Sequence, residues 1–148
     1  LNYSRWLTIS RETGEFRTMF GNEQGSDYFY FITSAGALVS SLPLDNDRAL
    51  FARSYAAVKP SGPTRLKEGD DELLYSLIEA NLKTGDTKRK SDGAANTIDW
   101  IVTADGVPVA RIDQMENSKN VEILAAGENG KGFKKVATIP GATVDAET

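Results

Sequence analysis

The chain has 148 residues, a length sufficient for one domain with a sizeable hydrophobic core. Its formal net charge of -4 argues against nucleic-acid binding, which needs clustered positive charge, and gives no attraction to anionic membranes. It contains no His and no Cys, which excludes Ser-His-Asp and Cys-His catalysis and His- or thiolate-based metal sites within this chain. The composition leaves the compartment, cytoplasmic or periplasmic, undetermined.

The N-terminal segment predicts a β-hairpin followed by a second extended run. Over Arg5–Phe20, Leu7 and Ile9 alternate with more polar residues, as in a half-buried strand. Gly14 is free to adopt the positive φ that the following turn needs. Farther on, the aromatic run Tyr28–Thr33 favours a buried strand or a clasp over an apolar surface.

A second pair of strands is predicted over Leu38–Tyr55. Its turn is Asp45-Asn46-Asp47, because Asx side chains bond their own main chain and tolerate left-handed backbone. The segment Val58–Gly69 carries two Pro and two Gly residues, which predicts an irregular connection across a surface.

The segment Asp70–Gly85 is compatible with either a helix or a strand. Its acidic start, helix-forming composition and terminal glycine favour a helix, as does the spacing of Leu74, Leu77, Ile78 and Leu82. As a strand it would be apolar on both faces, which suits a sheet packed between two others. The repeat of the first hairpin's turn (RETGE) as LKTGD decides for the strand and predicts a third hairpin over Leu74–Lys90.

Two further hairpins complete the pattern, over Thr97–Asp113 with a turn at Asp105-Gly106 and over Val121–Ile139 with a turn at Gly127–Gly132. A pair followed by a pair, twice over, is typical of four-stranded propeller blades. We therefore predict an all-β fold of antiparallel four-stranded meander sheets, a partial β-propeller of about two to three blades. It forms one domain with blade-like units at about 1–20, 36–90 and 97–139 and a tail at 140–148.

Two stretches, ELLYSLIEANLKTGDTKR and NTIDWIVTADGVPVARID, resemble the N-terminal propeller of bacterial prolyl-oligopeptidase-type serine peptidases. The resemblance covers about half of the chain, from Glu72 to Ile139. Its motif positions are Leu74-Tyr75, Leu82, Thr84-Gly85, Asp99-Trp100, Asp105-Gly106, Pro108, Ala110 and Arg111.

This resemblance implies a noncatalytic role. In that family catalysis belongs to a C-terminal α/β-hydrolase domain with a G-x-S-x-G elbow, and this chain has neither that elbow nor His. The implied function is to shield the hydrolase active site and restrict substrate size. The implied partners are that domain and peptides. Exposed strand edges could also pair in a homo-oligomer. The alternatives are a free-standing β-rich module that binds protein or glycan, and an independent small enzyme.

The sequence offers three residues as possible ligand or register contacts: Asp99, Trp100 and Arg111. Asp99 and Arg111 could pair across their hairpin and fix its register, or contact a ligand, and Trp100 and Trp6 favour the core. No catalytic residue, metal or cofactor is predicted. Simpler structural roles are favoured for four other groups: the calcium-like turn Asp45–Asp47, the glycines at 127, 130 and 132, the cations Lys83, Lys88, Arg89 and Lys90, and the acidic cluster Glu68, Asp70, Asp71 and Glu72.

Overall fold

The fold is all-β in a computed structural model that describes residues 5–20, 36–56 and 73–141. In these ranges the only helical segment is a short 3-10 turn, Glu128–Gly130. The described ranges contain no helix that is long and apolar enough to span a membrane. The strands are β1 Leu7–Ile9, β2 Phe16–Thr18, β3 Ala37–Ser40, β4 Arg48–Ala56, β5 Leu73–Asn81, β6 Thr87–Ser91, β7 Thr97–Val102, β8 Pro108–Gln114, β9 Val121–Ala126 and β10 Phe133–Ile139.

The strands form three antiparallel sheets in which neighbours in sequence are neighbours in space. The first hairpin is β1–β2, the middle sheet has the order β3-β4-β5-β6, and the last sheet has the order β10-β9-β8-β7. All five predicted hairpins are present, and the prediction of antiparallel four-stranded meanders is confirmed. The ranges 21–35 and 57–72, which contain the predicted strand Tyr28–Thr33 and the connection Val58–Gly69, lie outside the described residues.

The ambiguous segment is a strand, β5, and it lies at the centre of the molecule. It pairs with β4 through nine consecutive residues, from Arg48 opposite Asn81 to Ala56 opposite Leu73. Both of its faces are buried, since Leu77 and Ile78 are neighbours in sequence and point to opposite faces of the sheet. The propensity for a helix is therefore overridden by burial between two packing partners.

The turn repeated in the sequence has the same backbone geometry at both sites. Amide donors at Ser10 (2.8 Å) and Gly14 (2.9 Å) close the β1–β2 turn, and equivalent donors at Asn81 and Gly85 (both 2.8 Å) close the β5–β6 turn. Both glycines have positive φ, +73° and +82°. The shared motif therefore reports a shared turn conformation, in which glycine occupies the left-handed position.

The Asp45–Asp47 turn forms as predicted, but with a different left-handed residue. The Asp45 carboxylate accepts a hydrogen bond from the Asp47 amide at 3.0 Å. Positive φ occurs at Leu42 (45°), not at an Asx residue of the turn. Leu42 is fully buried in the core, so packing of its side chain holds a backbone conformation that its residue type disfavours.

The three sheets stack face to face, with the middle sheet between the other two. One of its faces contacts the last sheet through a cluster of Leu42, Leu50, Ala52, Leu77 and Trp100. Its other face contacts the first hairpin through a cluster of Met19, Ala49, Phe51 and Ala80, against which Trp6 and Phe20 pack. The core therefore consists of two layers, one on each side of β4 and β5.

The stack leaves an apolar face uncovered at each end, within the described part of the chain. On the first hairpin, Ile9 is paired with Phe16 on the face away from the middle sheet, and they are 67% and 75% exposed. On the last sheet, Ile101 (45% exposed) lies on the face opposite Trp100, as do Ile112 and Ile123. We call these the two open faces.

Candidate functional site

Trp100, one of the three candidate residues, lies in the junction between the middle and last sheets. It is 4% exposed, which confirms its predicted place in the core. Its indole Nε1 donates a hydrogen bond to the Tyr75 carbonyl at 3.0 Å, and its ring packs edge-on against Phe133 with centroids 5.6 Å apart. Trp100 therefore joins β7 to β5 of the neighbouring sheet and is inaccessible to a ligand. Ile98, which strict alternation along β7 would place on the same face as Trp100, is 49% exposed, and the register shifts beside it, between Thr97 and Asp99.

Arg111 pairs with Asp113 rather than with the predicted Asp99. Its guanidinium lies 3.0 Å from the Asp113 carboxylate and stacks over the Phe133 ring at 5.2 Å. Asp113 also accepts a hydrogen bond from the Thr97 hydroxyl at 2.6 Å, a buried contact between β7 and β8. The carboxylate that helps to fix this hairpin's register is therefore Asp113.

Asp99 faces away from Arg111 because of the same register shift. It is opposite Ile112, while Trp100 is opposite Arg111. Its carboxylate accepts a hydrogen bond from the Trp100 amide at 2.8 Å. Burial raises the pKa of the Tyr75 phenol, and the negative charge of Asp99 adds to this. The raised pKa keeps the Tyr75 phenol neutral at neutral pH, where it can donate a hydrogen bond.

A second polar cluster crosses the middle sheet around Glu79. This carboxylate lies 3.1 Å from both Arg48 on β4 and Lys90 on β6. Burial pushes the Glu79 pKa upward, but the two cations together outweigh it and lower the pKa. Arg48 also lowers the pKa of Asp45, which accepts its Nε–H at 2.6 Å. The cluster ties three strands together and has the character of a structural network.

In the described part of the chain, depressions lie beside the sheets, and two of them combine apolar and charged residues. The larger, of about 1280 Å³, lies between the first hairpin and the loops of the middle sheet and is lined by Ile9, Phe16, Arg17, Asp47, Leu82 and Lys83, among others. The smaller, of about 320 Å³, lies between β6 and the loop that precedes β10. It contains Lys131, whose proximity to the cations of β6 depends on how the two sheets pack and has no signal in the sequence.

The other candidate groups have structural roles where the structure describes them. Lys83 pairs with Asp47 at 3.0 Å, and this contact raises the Lys83 pKa. Residues 127–132 form the turn of the last hairpin. Among the described residues, no group of three or more carboxylates could hold a metal ion. The acidic cluster Glu68 to Glu72 lies outside them.

The described residues show aromatic packing and paired charges, and hydroxyl–carboxylate contacts such as that of Thr97 with Asp113 join neighbouring strands. The arrangement can bind or support a partner surface, and its charged residues mainly stabilise the sheets. Comparison of the chain with protein-family models, with curated proteins and with solved structures found no match.

Proposed function

We propose that this chain is a noncatalytic segment of a larger β-propeller. The observation that carries the proposal is the stack itself, in which a four-stranded meander is buried on both faces and an apolar face remains open at each end. In a propeller every blade has a neighbour on each side, so each end face of such a segment contacts a further blade.

The strand order supports this proposal. Each four-stranded sheet runs through consecutive strands without a crossover, and the chain then passes from β6, at one edge of the middle sheet, to β7, at the edge of the last sheet. That path moves from blade to blade around a common axis in a propeller. β7, the first strand of the last sheet, contacts β3, the first strand of the middle sheet, as expected of adjacent blades, and it also contacts β5.

The resemblance to prolyl-oligopeptidase-type serine peptidases suggests the larger protein. Under this proposal the segment lies over a hydrolase domain, limits access to its active site, and admits only small peptides. The motif residues Trp100 and Arg111 then stabilise blade packing, in agreement with their contacts to Tyr75 and Phe133. Catalysis is assigned entirely to the other domain.

The gene that encodes this chain provides the first test. We expect the same reading frame to encode a downstream G-x-S-x-G elbow followed by Asp and His. A stop codon directly after Thr148 would contradict the proposal. The second test uses the full-length protein and compares its hydrolysis of a chromogenic dipeptide with that of a long unfolded polypeptide. A size-restricting segment predicts fast cleavage of the first and little cleavage of the second.

A free-standing binding module is the alternative, and the depression of about 1280 Å³ favours it. It combines apolar Ile9 and Phe16 with charged Arg17 and Lys83, a mixture that suits a peptide or glycan. If the chain is such a module, it is monomeric on its own and binds ligands in a peptide or glycan array. Substituting Phe16 with Ser would then abolish that binding without loss of fold.

A further inference from the structure

A cleft at the outer edge of the stack combines cations from two sheets. We call it the rim cleft. Arg89 and Lys90 come from β6, the edge strand of the middle sheet, and Lys131 comes from the loop that precedes β10, the edge strand of the last sheet. Asp92 and Phe133 also line it, and its volume is about 320 Å³. That volume is at the lower end of ligand pockets, which suits a small molecule.

Positive charge exceeds negative charge in the rim cleft, although the chain as a whole carries -4. Arg89 shares its charge with Asp92 at 3.2 Å, and Lys90 shares its charge with Glu79 at 3.1 Å. Lys131 is exposed and lies across the cleft from this strand. Three cations against these two carboxylates leave one net positive charge, and a concave surface with net positive charge attracts anions.

The loop that carries Lys131 is held in a defined conformation. Gly127 donates to the Lys131 carbonyl at 3.0 Å, and the Lys131 amide donates to Glu128 at 3.4 Å. Gly130 has a φ of +71°, and a Cβ there would lie 2.9 Å from Pro108 Cδ, so this backbone packs directly on β8. The loop is therefore anchored to its sheet, and the position of Lys131 is fixed at its backbone.

Protection of strand edges explains part of this charge, because Lys and Arg on an edge strand oppose pairing with other chains. That role needs neither a concave wall nor a cation from a second sheet. The convergence of Lys131 with Arg89 and Lys90 on one cleft is the additional feature. It provides donors on both walls, and these can bind two separate oxyanion groups of one ligand.

We propose that the rim cleft binds a small polyanion carrying two or more carboxylate or phosphate groups. Arg89, which is paired with Asp92 in the cleft, holds one group from the β6 side, and Lys131 holds the other from the loop side, while Lys90 stays paired with Glu79. Phe133 forms the apolar floor between them. This site is independent of the propeller proposal, because it depends only on the contact between two sheets of this chain.

The test is a titration of the 148-residue chain with citrate and, separately, with pyrophosphate, at constant ionic strength. Amide chemical shifts report the site, and we expect saturable changes at Gly130, Lys131 and Phe133. Lys131→Gln should weaken binding by about tenfold, the effect of losing one charge-assisted hydrogen bond. Lys134→Gln is the matched control. It removes the same charge from a neighbouring position that does not line the cleft, and should change affinity by less than about twofold.

Each outcome decides the proposal. Saturable binding of either anion that depends on Lys131 supports it, and the tighter of the two identifies carboxylate or phosphate as the preferred group. Equal weakening by both variants would reveal nonspecific charge attraction and overturn it, as would a linear response to both anions. Arg89→Gln gives a second variant on the opposite wall, and unchanged thermal unfolding shows that each variant is folded.

Discussion

The two tryptophans of the chain make similar bonds in different surroundings. Each donates its indole N–H to a backbone carbonyl of another strand or loop, Trp100 to Tyr75 at 3.0 Å and Trp6 to Gly36 at 3.3 Å. Trp100 is buried in the junction of two sheets, whereas Trp6 is half-buried at the edge of its cluster. Replacing each tryptophan by Phe removes the same type of hydrogen bond. The difference between the two losses in free energy of unfolding therefore reports how deeply each tryptophan is buried.

We expect Trp100→Phe to destabilise the chain by about 2 kcal/mol, because it leaves a buried carbonyl unpaired and a small cavity. Trp6→Phe should cost about 1 kcal/mol, because water can reach the freed carbonyl. Urea denaturation measures both values. An equal or larger cost at Trp6 would contradict the assignment of Trp100 to the central junction.

Glu79 makes stability depend on pH at the acid end. Its pKa in the folded chain is lowered from the ordinary value of 4.5 by Lys90 and Arg48, despite partial burial. A carboxyl group with a lowered pKa stabilises the fold above its unfolded pKa, and that contribution is lost as the pH falls through the folded pKa. Glu79→Gln should therefore cost about 1.5 kcal/mol at neutral pH, and the difference from wild type should shrink below pH 4.5.

The pH profile is measured by urea denaturation at a series of pH values. Glu116→Gln serves as the control, since it removes the same charge from an exposed loop. Its stability curve should run parallel to that of wild type. A Glu79→Gln deficit that stays constant down to acid pH would mean that the ion pairs do not favour the charged carboxylate.

At the level of elements, the repeated turn makes a prediction about Gly85. With φ at +82°, an alanine there adopts the left-handed conformation that costs an L-residue about 1–2 kcal/mol. Gly85→Ala should lower the free energy of unfolding by that amount, and Gly85→Asn by less, because Asn adopts this conformation more readily. Thermal unfolding of both variants provides the measurement. Equal costs for Ala and Asn would show that the loss comes from the added Cβ, which would meet Arg17 at 3.2 Å, and not from backbone strain.

The strand conformation of β5 shows why most of the fold could be predicted from the sequence. Spacing and propensity over Asp70–Gly85 favour a helix, since neither measures what packs on the segment. The turn motif shared with the first hairpin supplies that missing information, because it places the segment in a repeated strand–turn–strand unit. Burial on both faces then requires an extended strand between two sheets.

The candidate site was less predictable because irregularities change register. Continued without interruption, the register of the Val102–Pro108 pair would place Asp99 opposite Arg111, but β7 and β8 shift register twice, and Asp113 becomes the partner of Arg111. A bulge adds one residue without a distinctive sequence signal. The rim cleft was not predictable for a different reason, since Lys131 and Arg89 meet only through the packing of two sheets.

At the level of the whole molecule, the two open faces predict that the isolated chain associates with itself. Ile9 and Phe16 at one end and Ile101 at the other remain exposed, and burying each such side chain yields about 1.5–3 kcal/mol. One copy's first hairpin can cover another's last sheet, as the first hairpin covers the middle sheet within the chain. Analytical ultracentrifugation should therefore show association that increases with concentration.

Charged substitutions test whether self-association uses the open faces or nonspecific hydrophobic contacts elsewhere on the surface. Ile101→Lys and Ile9→Lys place a charge on one face each, and each should weaken association by at least about tenfold, the equivalent of 1.4 kcal/mol. Leu44→Lys is the control, because Leu44 is more exposed, at 78%, but lies in the turn between β3 and β4. If Leu44→Lys weakens association as much as the other two, the contact does not use the open faces. If only the face variants act, the same faces are the surfaces on which neighbouring blades pack in the proposed propeller.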